Sequence, residues 1–152
     1  MSRPAWTFNI GPRLGKALAG LSLLLLILLI FPFKTTIVPN WKLRVVDQSG
    51  KPVPMINVTQ HWQHYLLESS GAEDIRKSGS DGLVDFPERT IRASALRRFV
   101  ETLARIPKSG AKAKREPYGS VVVWGSKTHE TAVAVYNEGE QPQSEIVVHR
   151  LP

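Results

Sequence analysis

The sequence predicts a mainly β protein, in which a single transmembrane helix is followed by one β-sandwich domain that carries an amphipathic helix. Three observations indicate this architecture. A leucine-rich run without charge lies near the N-terminus. Several short segments of alternating polar and apolar residues follow it, separated by turn residues, and one later segment has apolar residues at helical spacing. The rest of the 152 residues suffices for one domain of ordinary size.

The apolar run covers residues 17–33 and reads ALAGLSLLLLILLIFPF. As a helix it would be roughly 25 Å long, the short end of what spans a bilayer core. Trp6 and Trp41 flank it and Lys34 follows it directly, which suits the two interfaces of a membrane. A cleavable signal peptide is the alternative interpretation, but it would have a shorter apolar region that ends in small residues, whereas this run ends in Phe-Pro-Phe. We therefore expect an uncleaved, single-pass anchor.

The charges beside this run predict its orientation. Arg3, Arg13 and Lys16 precede it in a stretch without acidic residues, so the positive-inside rule keeps the N-terminus in the cytoplasm. The domain after the run is then extracytoplasmic, either in a periplasm or outside the cell. The predicted segments are a cytoplasmic basic tail at 1–16, a transmembrane helix at 17–33, a tether at 34–40 and the folded domain at 41–152.

Composition excludes several classes of site. The chain has no cysteine, so disulfides, thiolate metal sites, a cysteine nucleophile and a lipid-modified cysteine are all excluded. The net charge is +7, and removing the three basic residues of the tail leaves +4 for the remainder. Because much of the basic excess lies where membrane topology needs it, we expect no nucleic-acid partner.

The folded domain is predicted to begin with a strand at Trp41, where apolar and basic residues alternate. A second strand is predicted within residues 56–67, with its even-numbered apolar residues towards the core. Trp62 and Trp124 are expected in that core, since each lies in a strand among β-branched residues. The remaining predicted strands are Ile75–Lys77, Leu83–Phe86, Ser120–Trp124, Thr131–Tyr136 and Glu145–Leu151.

After Ser94 the apolar period changes to that of an amphipathic helix, which Ser94 can cap and Pro107 and Gly110 can end. Its apolar residues are Leu96, Phe99, Val100, Leu103 and Ile106. The opposite side and the following loop concentrate positive charge at Arg97, Arg98, Arg105, Lys108, Lys112, Lys114 and Arg115. Two interpretations stay open: a solvated helix face followed by a basic loop, or a surface that binds an anionic ligand, a polymer or lipid headgroups.

Two stretches resemble a known family. Residues 43–58 read LRVVDQSGKPVPMINV, and residues 80–86 read SDGLVDF. A strand, a D-x-x-G-x-P-V turn, a second strand and a later D-G-x-x-x-F hairpin recur in the carboxypeptidase regulatory-like domain, a transthyretin-like β-sandwich related in form to the Ig-like ones. The resemblance covers about residues 43–87, and Gly50 and Gly82 suit turns that need positive φ. It implies a non-catalytic accessory or adhesion module, although the predicted helix departs from the simplest family pattern.

Other polar residues were weighed as catalytic or metal-binding groups. On a strand, His61 and His64 would point to opposite faces and would not chelate one ion. Asp81 and Asp85 share a hairpin and could bring two carboxylates together, but turn formation explains Asp81 and solvent exposure explains Asp85. No serine lies in a G-x-S-x-G context. We therefore predict no enzymatic activity and no cofactor.

The leading functional hypothesis is a membrane-anchored structural or protein-interaction module, with a protein partner in the cell envelope. The alternative is a binding module for an anionic ligand, polymer or lipid surface that uses the basic stretch at 97–115. Only the first hypothesis needs no chemistry from the charged residues.

Overall fold

The computed structural model describes residues 12–109 and 117–151, and for residues 12 and 105–109 it describes the backbone. Within these ranges the chain forms two helices and nine strands, so it is mainly β, as the sequence predicts. In chain order the elements are α1 Pro12–Ile30, β1 Pro32–Val38, β2 Trp41–Asp47, β3 Asn57–His64, β4 Ala72–Lys77, β5 Leu83–Phe86, β6 Arg89–Ser94, α2 Ala95–Ser109, β7 Pro117–Val123, β8 Ala132–Tyr136 and β9 Glu145–Val148.

Helix α1 is long and apolar enough to cross a membrane, and the rest of the described chain does not bury it. The helix ends earlier than the predicted boundary at residue 33. Phe31 still donates its backbone N–H to Ile27, but Pro32 begins a strand. Proline has no N–H to continue the helical ladder, and it disfavours the helical conformation in the residue before it.

Strand β1 replaces the predicted tether at 34–40, and that prediction is wrong. The strand pairs antiparallel with β6, from Pro32 opposite Ser94 to Val38 opposite Arg89. Ile37 and Val38 at its far end are buried in the core. Since the segment is rich in β-branched residues, it suits a strand, and the chain passes from α1 into the folded body without a flexible linker.

Two larger sheets form the body. One has three strands in the order β5-β2-β9, with β2 and β9 parallel, and the other has four antiparallel strands in the order β4-β3-β7-β8. A single buried cluster contains residues of both sheets and of β1. Its members include Ile37, Val38, Trp41, Leu43, Val58, Phe86, Val121, Val123, Ala134 and Val148.

The two turns predicted to need glycine have it in the expected conformation. Gly50 has φ of 77° and Gly82 has φ of 75°. Two features require glycine at position 82: its positive φ, and the carbonyl oxygen of Val45, which would lie 2.5 Å from a Cβ there. The Asp47 carboxylate accepts hydrogen bonds from the backbone N–H groups of Ser49 and Lys51, which closes the first turn.

Candidate interaction surfaces

Helix α2 begins beside the end of α1. Strand β6 ends at Ser94 and α2 follows directly, while Pro32, opposite Ser94 in the ribbon, follows the end of α1. The two helices are in contact. Ser94 caps α2 as predicted, since its Oγ accepts a hydrogen bond of 3.2 Å from the N–H of Arg97. The β1–β6 ribbon therefore brings both helices to one end of the body.

Arg97 and Arg98, in the first turn of α2, are hydrogen-bonded to the body. Arg97 donates from Nη2 to the carbonyl of Leu67 at 3.1 Å. Arg98 donates from Nη2 to Oγ1 of Thr35 at 2.5 Å, and its Nε lies 3.5 Å from the carbonyl of Ala93. Arg98 is half-buried, whereas Arg97 stays exposed to solvent apart from its hydrogen bond, so both sequence interpretations stay open. The side chains of Arg105 and Lys108, and all of Lys112, Lys114 and Arg115, lie outside what the structure describes.

The apolar side of α2 consequently points away from the body. Leu96, Phe99, Val100 and Leu103 are 45%, 63%, 53% and 52% exposed. Phe31 and Phe33, at the junction of α1 and β1, are also exposed, and their rings meet edge to face at 5.3 Å. We call these six residues the apolar collar. Ile106 continues the apolar spacing in sequence, but its side chain is outside the description.

A second apolar surface lies on part of the solvent side of the four-stranded sheet. Strand β8 turns its alanines inward and its valines outward: Ala134 is buried, whereas Val133 is 58% exposed. The register places Ile75, Thr59, Val122 and Val133 in one row across the four strands. We call this surface the outer sheet face, made of Ile75, Val122, Trp124, Val133 and Val135.

Trp124 belongs to the outer sheet face, so its prediction as a core residue is wrong. It is 50% exposed, and its indole N–H donates to Oγ1 of Thr59 at 2.6 Å. Val121 and Val123 are buried, which by strand alternation turns residues 122 and 124 outward. The run of three valines before Trp124 carries no polar residue that could reveal this parity.

Trp62 is partly buried against the core, and a network of polar side chains lies around it. The guanidinium of Arg89 stacks 4.2 Å from the Trp62 ring centroid and donates to Oε1 of the buried Gln60 at 2.9 Å. Arg89 is also hydrogen-bonded to Asp74. Burial acts to raise the pKa of Asp74, but the hydrogen bond from Arg89 and the charge of Arg76 outweigh it, and the pKa is lowered. The network fastens β6 to β3 and β4.

His61 and His64 lie on opposite faces of β3, as the strand assignment predicts. His61 is at the surface, 3.5 Å from a carboxylate oxygen of Glu73. His64 is 5% exposed, and burial together with the charge of Arg98 lowers its pKa. A surface cavity of about 440 Å³ lies beside His61 and includes Tyr65 and Tyr118 in its lining. In residues 12–109 and 117–151, no three His, Asp or Glu side chains are placed to hold a metal ion.

The carboxylates of Asp81 and Asp85 have separate local roles. Asp81 accepts the backbone N–H of Leu83 and closes the turn before β5. Asp85 accepts a hydrogen bond of 3.0 Å from the side-chain amide of Asn40 and lies 3.8 Å from the ammonium of Lys42. Each carboxylate thus stabilises a turn or strand edge.

No family model, curated protein or solved structure matches this chain.

Proposed function

We propose that this protein is a membrane-anchored, non-enzymatic β-sandwich of the transthyretin-like type, which presents the outer sheet face to a protein partner in the cell envelope. The observation that carries the proposal is the apolar character of that face. The basic residues before the apolar run support a cytoplasmic N-terminus, with the β domain on the far side of the membrane.

The exposed side of α1 supports the anchor. Its residues from Leu21 to Ile30 are apolar apart from Ser22, and nothing in the described chain covers them. In water this surface would be strongly unfavourable, whereas the acyl chains of a bilayer remove it from water.

The paired turns support the fold type. The D-x-x-G-x-P-V segment joins β2 to the stretch before β3, and the D-G segment opens β5, which pairs antiparallel with β2. Both motif glycines have positive φ, in agreement with the resemblance drawn from the sequence.

The outer sheet face supports a protein partner. Isolated exposed valines are ordinary, but a cluster of apolar residues on neighbouring strands, here Val122, Trp124, Val133 and Val135, is typical of an interaction surface. Trp124 is held in place by its hydrogen bond to Thr59, so it is ordered before binding, and such anchored aromatics carry much of the energy of interfaces. Burying a Val or Trp side chain of this face contributes about 1–3 kcal/mol.

The test is site-specific photocrosslinking of the full-length protein in intact cells. A photoreactive residue replaces Val133 in one variant and Val147 in another. Val147 is a matched control, since it is an exposed valine on β9, in the other sheet. We expect a defined adduct from position 133 that is absent from position 147 and that weakens when Trp124→Ala is added. An adduct of twice the chain's own mass would assign the face to self-association, and equal labelling at both positions would contradict the proposal.

A further inference from the structure

We infer that α2 lies in the interfacial layer of the membrane that α1 crosses, with its apolar side towards the acyl chains. This inference rests on the proposed membrane anchoring and extends it to a second element. It assigns the exposed side of α2 to lipid and not to a protein groove.

The position of α2 follows from the β1–β6 ribbon. Residues opposite each other in an antiparallel pair have Cα atoms about 4.5–5.5 Å apart. Because Pro32 lies opposite Ser94, the first turn of α2 is held within a few ångströms of the chain that leaves α1. If α1 spans the bilayer, α2 therefore starts at the membrane surface.

The orientation of α2 follows from Arg97 and Arg98. Arg97 and Arg98 bind acceptors of the body at Leu67, Ala93 and Thr35. Their opposite helix side then has to face outward, with four large apolar side chains about half exposed. An amphipathic helix with this arrangement, beside an anchor, has the pattern of helices that lie in the membrane interface plane.

The length of α1 favours close approach of the body to the bilayer. From Ala17 to Phe31 its apolar part covers roughly 22 Å, several ångströms less than a typical hydrocarbon core. A short span is accommodated by local thinning and by drawing its flanking residues into the interface. Phe31 and Phe33 are exposed at that position, and phenylalanine is among the large apolar residues that enter the boundary between headgroups and acyl chains.

A bilayer explains the collar better than a protein partner does. The collar residues come from the α1–β1 junction, from β1 and from α2, near the point where the anchor enters the body. A partner that covered them would have to compete with lipid for a surface adjoining the membrane helix. Lipid is present there without any further binding event.

The inference is tested by measuring how deep a fluorescent label on the protein lies in the bilayer of proteoliposomes. The natural chain has no cysteine, so one introduced cysteine carries one environment-sensitive fluorophore. Full-length variants Val100→Cys and Leu103→Cys report on α2, Leu25→Cys reports on α1, and Val147→Cys is the water-exposed control. The vesicles are pure phosphatidylcholine, with and without doxyl-labelled lipid, and iodide is the aqueous quencher.

We expect doxyl lipid to remove most of the fluorescence at positions 25, 100 and 103, and iodide to quench position 147. Iodide quenching at 100 and 103, with position 25 still in lipid, would overturn the inference and leave the anchor intact. Iodide quenching at position 25 would instead show that the anchoring itself is wrong. Protection of position 100 from both quenchers would assign the collar to a second copy of the chain and also overturn the inference.

Salt separates apolar insertion from attraction by charge. Insertion through Leu96, Phe99, Val100 and Leu103 should persist in uncharged vesicles and in 0.5 M NaCl, about three times the physiological ionic strength. The contrary result is a label at position 100 that lies deep only in vesicles that contain phosphatidylglycerol and that loses this depth in the same concentration of NaCl. That result would show that basic residues, and not the apolar side, hold α2 at the surface.

Discussion

Replacing Gly119 by alanine tests how the anchor-bearing strand is attached to the body. A Cβ at Gly119 in β7 would lie 2.5 Å from Cγ2 of Val38 in β1. Val38 is fully buried, so its methyl group has little room to move. An alanine in a strand at an unstrained position would by itself stabilise by about 0.4–1 kcal/mol relative to glycine. Overpacking of a tight core costs about 1–3 kcal/mol, so we expect a net loss of about 1–2 kcal/mol.

The measurement is chemical unfolding of the full-length protein in detergent micelles, followed by tryptophan fluorescence. Trp41 is a suitable reporter, because it is buried and lies 6.4 Å from the ring of Tyr136, which pairs with Gly119. An unchanged or increased free energy of unfolding for Gly119→Ala would refute the close packing of β1 on β7.

A double-mutant cycle gives the specific control. Val38→Ala alone removes two buried methyl groups and should cost about 2–3 kcal/mol, including the cavity that remains. In the double variant the new methyl at 119 occupies part of that space. We expect the double variant to lose at least about 1 kcal/mol less than the two single losses combined. Additive losses would place the effect of Gly119 elsewhere than at Val38.

Three further predictions concern strain, the polar network and pH. Met55 has φ of 59° and a side chain that is 68% exposed, so Met55→Gly should raise the free energy of unfolding by about 0.5–1 kcal/mol, measured in the same assay. Arg89→Met leaves Oε1 of Gln60 without its hydrogen-bond donor and Asp74 with Arg76 alone, and it should cost about 2–4 kcal/mol. Arg89→Lys should restore only part of this, because lysine has no planar group to stack on Trp62 and to donate in two directions. The pKa of buried His64 is lowered, so as the pH falls the unfolded chain takes up a proton before the folded one does. The free energy of unfolding should therefore fall as the pH drops below about 6.5, by at most about 1.4 kcal/mol per pH unit. His64→Gln should remove this slope, and an identical slope in that variant would exclude His64 as its source.

The local features of the fold could be predicted because short-range chemistry determines them. Gly50 and Gly82 had to adopt positive φ, and Ser94 had to satisfy a free N–H at the start of α2. Alternation placed strands near β2, β3, β5, β7, β8 and β9, where the structure has them. In each case the residues that decide the conformation are within a few positions of one another.

The missed features depend on contacts between distant segments. The β-branched stretch of β1 becomes a strand only because β6 lies beside it, more than fifty residues later. Helical periodicity predicted two sides for α2, but not which side faces the body. That choice follows from the acceptors of Leu67 and Thr35, which lie on other elements. The face of the sheet on which Trp124 lies could not be predicted either, because the three preceding valines are apolar whichever face they are on.

The direct junction of α1 with β1 bears on where the proposed partner of the outer sheet face would be located. Lys34 and Thr36 of β1 both bond the Glu88 carboxylate, at 2.8 Å and 2.7 Å, and these bonds lower the pKa of Glu88. Val38 packs against Gly119, so the end of the ribbon away from α1 is held against the body. In the proposed arrangement, a domain on a flexible tether would sample many heights and angles above the membrane, whereas the direct junction of α1 with β1 restricts the heights and angles of this domain. This rigid attachment reduces the entropy that is lost on binding when the other protein is also fixed in the membrane. It gives no comparable advantage with a freely diffusing protein, so under the proposed function we expect a membrane-resident partner.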